Sequence, residues 1–262
     1  RGSEFLEFVE PKRDASELVL TAAVERALYD ITQEHRIAET IRRHHIPIRN
    51  RLLFCGPPGC GKTVTAEAFA RRVGMPMMVA KLDVIFGSLF GETASNLTKM
   101  FTAAERQPVV LFLDEFDALA RTREDRSEHN EMRRIVNNLL LMIDKFKGRG
   151  FIVAATNLEA TIDAALFRRF DEVILFELPT ITSIRRLLKL RTQNFGADFD
   201  IAGEAGRLRG KSYADIERIC YQTIRRAIID HRTRISQSDF SYALEGEARR
   251  DSVRTKVAKP LR

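Results

Sequence analysis

No apolar run in this 262-residue chain approaches the roughly 20 residues that a membrane-spanning helix needs, and no basic-then-apolar leader opens it. A membrane partner is therefore not expected, and a cytoplasmic setting is. Cysteine is scarce: Cys55, Cys60 and Cys220 show no paired metal-ligand spacing, and an odd count argues against a disulfide framework, which fits a reducing compartment. Internal repeats and low-complexity tracts are also missing. What is present is 44% hydrophobic residues, enough to bury a full core with room for a large and a smaller domain. The net charge of +7 is weak evidence for a nucleic-acid partner, because 43 basic and 36 acidic residues are mixed along most of the chain.

Residues 1–10 read as a vector scar (Arg1-Gly2-Ser3-Glu4-Phe5) followed by linker. From Ala15 to Arg43, Val24, Leu28, Ile31 and Ile41 recur at helical spacing. Short apolar runs then alternate with helical patterns: strands near 52–55, 77–82, 109–113, 151–155 and 173–176, and helices near 64–73, 93–106 and 129–146. This alternation predicts a parallel sheet flanked by helices over residues 11–178. From 179 to 248 the pattern is helical throughout, which predicts a small helical domain, and 249–262 reads as a basic tail.

The strongest local signal is Gly56-Pro57-Pro58-Gly59-Cys60-Gly61-Lys62-Thr63, set between an apolar strand and a helix. Its glycines let successive N–H groups point at phosphate oxygens, with the positive end of the helix behind them. Pro58, Gly59, Cys60, Gly61, Lys62, Thr63 and Val64 are the candidate nucleotide contacts. Lys62 would reach the terminal phosphates, and Thr63 would supply a hydroxyl to Mg²⁺. Asp114-Glu115 closes the apolar run Val109 to Leu113, placing two carboxylates at the edge of an α/β sheet where ligands bind. Asp114 is the second candidate for Mg²⁺, and Glu115 the candidate base for a water attacking the γ-phosphate of ATP. Asn157, after the next strand, is a candidate for orienting that water.

Together with Asn130 to Leu140, Ala154-Ala155-Thr156-Asn157 and Ala164 to Asp171, these motifs resemble the AAA family of P-loop ATPases in its narrow sense. The similarity runs from about Leu18 to Leu244. It implies a P-loop NTPase sheet followed by a helical lid domain, and Mg²⁺-dependent ATP hydrolysis. It further implies a homo-oligomeric ring, usually a hexamer, that works on a protein client or adaptor. Arg168 and Arg169 resemble arginine fingers that reach the neighbouring subunit's site. They stand closer together than in relatives with Pro-Gly between them, so which is the principal finger is open. Arg134 is either a further cross-subunit contact or a residue of the helix surface.

Gly210 to Ile216 resembles the family's lid motif, with Tyr213 in place of a small residue and Ala214 near the base. Val19, in Glu17-Leu18-Val19-Leu20, is the best counterpart of an adenine-contacting element. Leu89 and Phe90 occupy the place of a pore-facing loop that grips protein substrate, with the aromatic displaced by one position. Two rival expectations come from other classes: an ATPase acting on nucleic acid, and a nucleotide-gated assembly scaffold.

Overall fold

The computed structural model describes residues 5–87, 90–116, 129–157 and 167–258. The chain divides into two compact units, Arg1–Pro57 with Gly61–Phe176, and Pro58–Cys60 with Glu177–Arg262. In the first unit the strands are β1 (Leu6–Val9), β2 (Arg51–Cys55), β3 (Met77–Lys81), β4 (Val110–Asp114), β5 (Phe151–Thr156) and β6 (Glu172–Leu175). They form one sheet in the order β1-β3-β4-β5-β2-β6. The last five are mutually parallel, and β1 joins β3 antiparallel. Leu52–Phe54, Val110–Leu113 and Phe151–Ala155 are buried along their whole length, as central strands covered on both faces must be.

The helices of this unit are α1 (Ala22–Arg36), α2 (Ala38–Arg43), α3 (Lys62–Val73), α4 (Leu82–Gly87), α5 (Phe90–Arg106) and α6 (His129–Lys145). Thr21 caps α1 by accepting the Val24 N–H at 3.3 Å. Helix α3 lays Phe69 edge-on against Phe151 of β5, with ring centroids 4.9 Å apart. Gly74 then ends it in a left-handed conformation, its N–H returning to the Ala70 and Arg71 carbonyls. Two ion-pair groups fix the N-terminal side of β2: Arg49 bridges Glu34 and Glu172, while Arg51 holds Asp171.

The segment expected to be scar and linker is partly structural. Leu6–Val9 forms the edge strand β1, Phe5 is buried in the core, and its carbonyl accepts the Lys81 N–H at 3.1 Å. The edge of β3 has backbone donors and acceptors to satisfy, and a four-residue strand satisfies them.

The second unit packs α7 (Ile181–Thr192), α8 (Tyr213–Ile229) and α9 (Gln237–Ala258) around Ile184, Leu188, Ile216, Ile219 and Phe240. A short parallel pairing, Gly196–Ala197 with Arg234–Ile235, is added to these helices. Arg249 to Ala258, expected to lie in a basic tail, continue α9 instead. The run holds good helix formers, and Asp251 is tied at 2.9 Å to the Lys211 ammonium. Cys220 is fully buried, and burial pushes its thiol up to about 12, so it is a small packing residue here.

Asp239 is the polar anchor of this unit, with its side chain 1% exposed. It accepts two hydrogen bonds from Arg232, at 2.6 and 2.7 Å, and one each from the Ser236 N–H and hydroxyl, at 2.8 and 2.7 Å. The Arg232 bonds hold its carboxyl well below the usual carboxylate range. A depressed acid stabilises the fold fully above its unfolded value, at about pH 4, and loses that contribution as pH falls through its folded value. Asp239→Asn is therefore expected to lower the melting temperature at pH 7 by about 5 °C and to lessen the loss of stability below about pH 4, as followed by circular dichroism.

Candidate nucleotide site

Three parallel strands bring the candidate residues to one sheet edge. Cys55 of β2 is in register with Thr156 of β5, and Leu113 of β4 with Ala154. The turn after β2, the acids ending β4 and Asn157 after β5 thus leave the sheet at the same end. Ligands of open α/β sheets bind at this carboxyl edge.

The turn itself depends on two glycines. A side chain at Gly56 would place its Cβ 1.9 Å from the Phe176 carbonyl oxygen. Gly61, the N-cap of α3, has φ +92°, which side-chain-bearing residues rarely adopt. Beyond it, Lys62 is 7% exposed and curls back into the turn. Its ammonium donates to the Gly56 carbonyl at 2.6 Å, the Pro57 carbonyl at 2.9 Å and Asn157 Oδ1 at 2.8 Å. Lysine and asparagine, 95 residues apart in sequence, are thereby in direct contact. Thr63 is exposed at the start of α3, and Val64 is half-buried beside it.

Asp114 is half-buried at the end of β4, and its Oδ1 accepts the Glu115 N–H at 2.9 Å. Glu115 is exposed and left-handed, with φ +51°. For a glutamate that backbone costs on the order of 1 kcal/mol, the kind of strain that collects at functional sites. The turn is fastened on its far side, where the Phe116 N–H donates to the Ala155 carbonyl at 2.8 Å and Phe116 meets Phe170 edge-on, centroids 5.7 Å apart.

Phe170 directly follows the arginine pair. Arg169 is ion-paired with Asp144 near the end of α6, whereas Arg168 is exposed and shows no ion pair among the described residues. Sequence reading missed Asp144, since nothing local marks an acid 25 positions away as the partner of this arginine. Arg134 is exposed on α6.

The remaining candidates fall elsewhere. Val19 is buried just ahead of α1. In the second unit, the Ala214 N–H donates to the Gly59 carbonyl at 3.1 Å, so Ala214 meets the tip of the glycine turn, Pro58–Cys60, through backbone. Tyr213 is half-buried, and burial raises its phenol above the ordinary value, with a Ser183 hydrogen bond working against that shift. In the stretch expected to be an exposed pore loop, Leu89 lies outside the described residues. Phe90 is the first residue of α5, three positions after α4 ends at Gly87, because both flanking segments have helical sequence.

The donor set suits a magnesium triphosphate: a hydroxyl at Thr63 and a carboxylate at Asp114 are the hard oxygen ligands that Mg²⁺ takes. A left-handed glycine turn feeding a helix, with a lysine folded against the turn's carbonyls, defines a P-loop nucleotide-binding protein. Comparison with known proteins narrows the class. Residues 52–178 match the family described as "ATPase family associated with various cellular activities (AAA)". An uncharacterized AAA family ATPase of Sinorhizobium fredii, y4kL, is 48% identical over 257 residues, which cover 98% of this chain and 78% of that protein. The chain belongs to the AAA family of ATPases, and its activity is ATP hydrolysis with Mg²⁺. Among the described residues no helix is long and apolar enough to cross a membrane.

Replacing Lys62 by Ala removes a charge-assisted donor, so ATP affinity is expected to fall about 10- to 150-fold, as read by fluorescent-nucleotide titration.

Proposed function

We propose that the chain couples ATP hydrolysis to remodelling, unfolding or threading of a protein substrate, as one subunit of a ring. The observation that carries the catalytic part is the contact of Lys62 with Asn157, which puts the phosphate-binding ammonium and the water-orienting amide in one hydrogen-bonded group. In this reading Thr63 and Asp114 hold the magnesium ion, which supplies charge neutralisation on the phosphates. Glu115, exposed at the same sheet edge, takes the proton of the attacking water. Lys62 would exchange its partners in the turn and at Asn157 for phosphate oxygens, and the Asn157 amide would turn toward that water.

The subunit's own arginines support the ring. Arg169 is engaged by Asp144 rather than by the glycine turn, and Arg168 is exposed. Both are therefore read as acting on a neighbour's nucleotide, with Arg168 the more available. The segment 86–92, which takes in the end of α4 and the start of α5, is read as the contact with an extended polypeptide.

Glu115→Gln is expected to keep ATP binding while lowering turnover at least about 100-fold. Wild-type hydrolysis in that variant would remove Glu115 as the base. Subunits carrying Arg168→Ala and Arg169→Ala are each expected to be inert as pure assemblies, losing about 10³-fold or more in rate. Mixed with Glu115→Gln subunits they should regain activity at hybrid interfaces, measured as phosphate release. Absence of rescue in assemblies of confirmed size would argue against action in trans.

A further inference from the structure

A cavity in the first unit adjoins the residues assigned to nucleotide without including them: Leu20 and Thr65 of its lining are next to Val19 and Val64. It is about 510 Å³ in volume and opens between facing stripes of α1 and α3. Ligand pockets fall in this size range, with apolar walls and a few polar groups. The floor is apolar: Leu28, Ala68 and Phe69 are 4%, 5% and 2% exposed. The rim is aromatic and basic. Arg72 stands over the Tyr29 ring, 5.4 Å from its centroid, and both are exposed. Arg26 adds a second guanidinium against one acid, Glu25, which leaves the rim with an excess of positive charge.

The inner wall carries an unusual group. Thr65 lines the cavity, and its hydroxyl is the one buried side-chain polar atom without a hydrogen-bond partner among the described residues. A buried hydroxyl left unpaired is destabilising, because nothing offsets its loss of water. Threonine in a helix has two accessible χ1 rotamers, so this hydroxyl can change direction without moving the backbone. A bound acceptor would then satisfy it.

We propose that this cavity is a regulatory site for a small aromatic molecule bearing one anionic group. The ring would lie over Phe69 and beside Tyr29, the anion would meet Arg72 and Arg26, and Thr65 would bond to an acceptor at the inner end. Helix α3 transmits the effect. Thr65 is three residues from Lys62, and Ala68 and Phe69 are one turn further along the same rigid element. A ligand wedged against this face biases the position of Lys62 and Thr63, and hence ATP affinity.

Anilinonaphthalene sulfonate, an aromatic with one sulfonate, serves as the probe. Its fluorescence should titrate saturably on the folded protein in saturating ATP and Mg²⁺, which separates this cavity from the nucleotide site. Ala68→Leu fills the floor and should weaken binding about tenfold or more. Arg72→Gln lies on the surface, so it reports even if the first variant fails to fold, and it should weaken binding about 3- to 30-fold. Saturating probe should shift the ATP affinity of the wild-type chain at least about twofold, but not that of Ala68→Leu. Displacement of the probe by ATP, wild-type binding in both variants, or an unmoved ATP affinity would each overturn the proposal.

Discussion

The folded-back lysine governs this molecule. A side-chain ammonium 7% exposed must be met by acceptors, and here two backbone carbonyls of one turn and an amide from another strand meet it. For those acceptors to converge, β2 and β5 must be neighbours in parallel register, and the chain between them must turn through conformations open to glycine. Sheet order, turn composition and the placing of Asn157 are therefore one constraint seen from three sides. Burying a charge is costly, and a polyanion arriving at the turn offsets part of that cost. The fold itself thus holds Lys62 against the turn that would receive the phosphates.

Around this centre the structure sorts its ionic groups into two kinds. Arg49 with Glu34 and Glu172, Arg51 with Asp171, and Arg232 with Asp239 are internal fasteners, part-buried and multiply bonded. Arg168 and Glu115 are exposed and left available. Arg169 sits between these kinds, since its pairing with Asp144 occupies it within the subunit while 41% of its side chain stays exposed. An arginine so held keeps its neighbour's backbone in place, and a pair of adjacent arginines can divide the work of anchoring and contact.

Much of the fold was legible in the sequence because its signals are local. The apolar runs Leu52–Phe54, Val109–Leu113 and Phe151–Ala155 are continuous, as buried parallel strands are, and each ends at a residue whose chemistry is recognisable. The glycine turn is legible for the same reason: its geometry is dictated by eight consecutive residues. Contacts between distant segments were not readable. Nothing around Asp144 announces Arg169, and nothing around Thr65 announces the hollow beside α1, because both arise from packing rather than from spacing. The ends of the chain were misread for a different reason. Leu6–Val9 is too short to carry a strand pattern and folds only because β3 offers an edge, while the basic composition of Arg249–Ala258 hid ordinary helix formers.

Strand β1 has a practical consequence. It supplies the outer hydrogen-bonding partner for β3 and lodges Phe5 in the core, although its sequence resembles dispensable linker. A chain shortened past Val9 would expose the backbone edge from Met77 to Lys81 together with the apolar surface that Phe5 covers. Poor solubility in such a truncated protein would then reflect an uncovered sheet edge. Because Lys81, the last residue of that edge, is in register with Asp114 of β4, the uncovered surface would reach the end of the sheet that carries the candidate site.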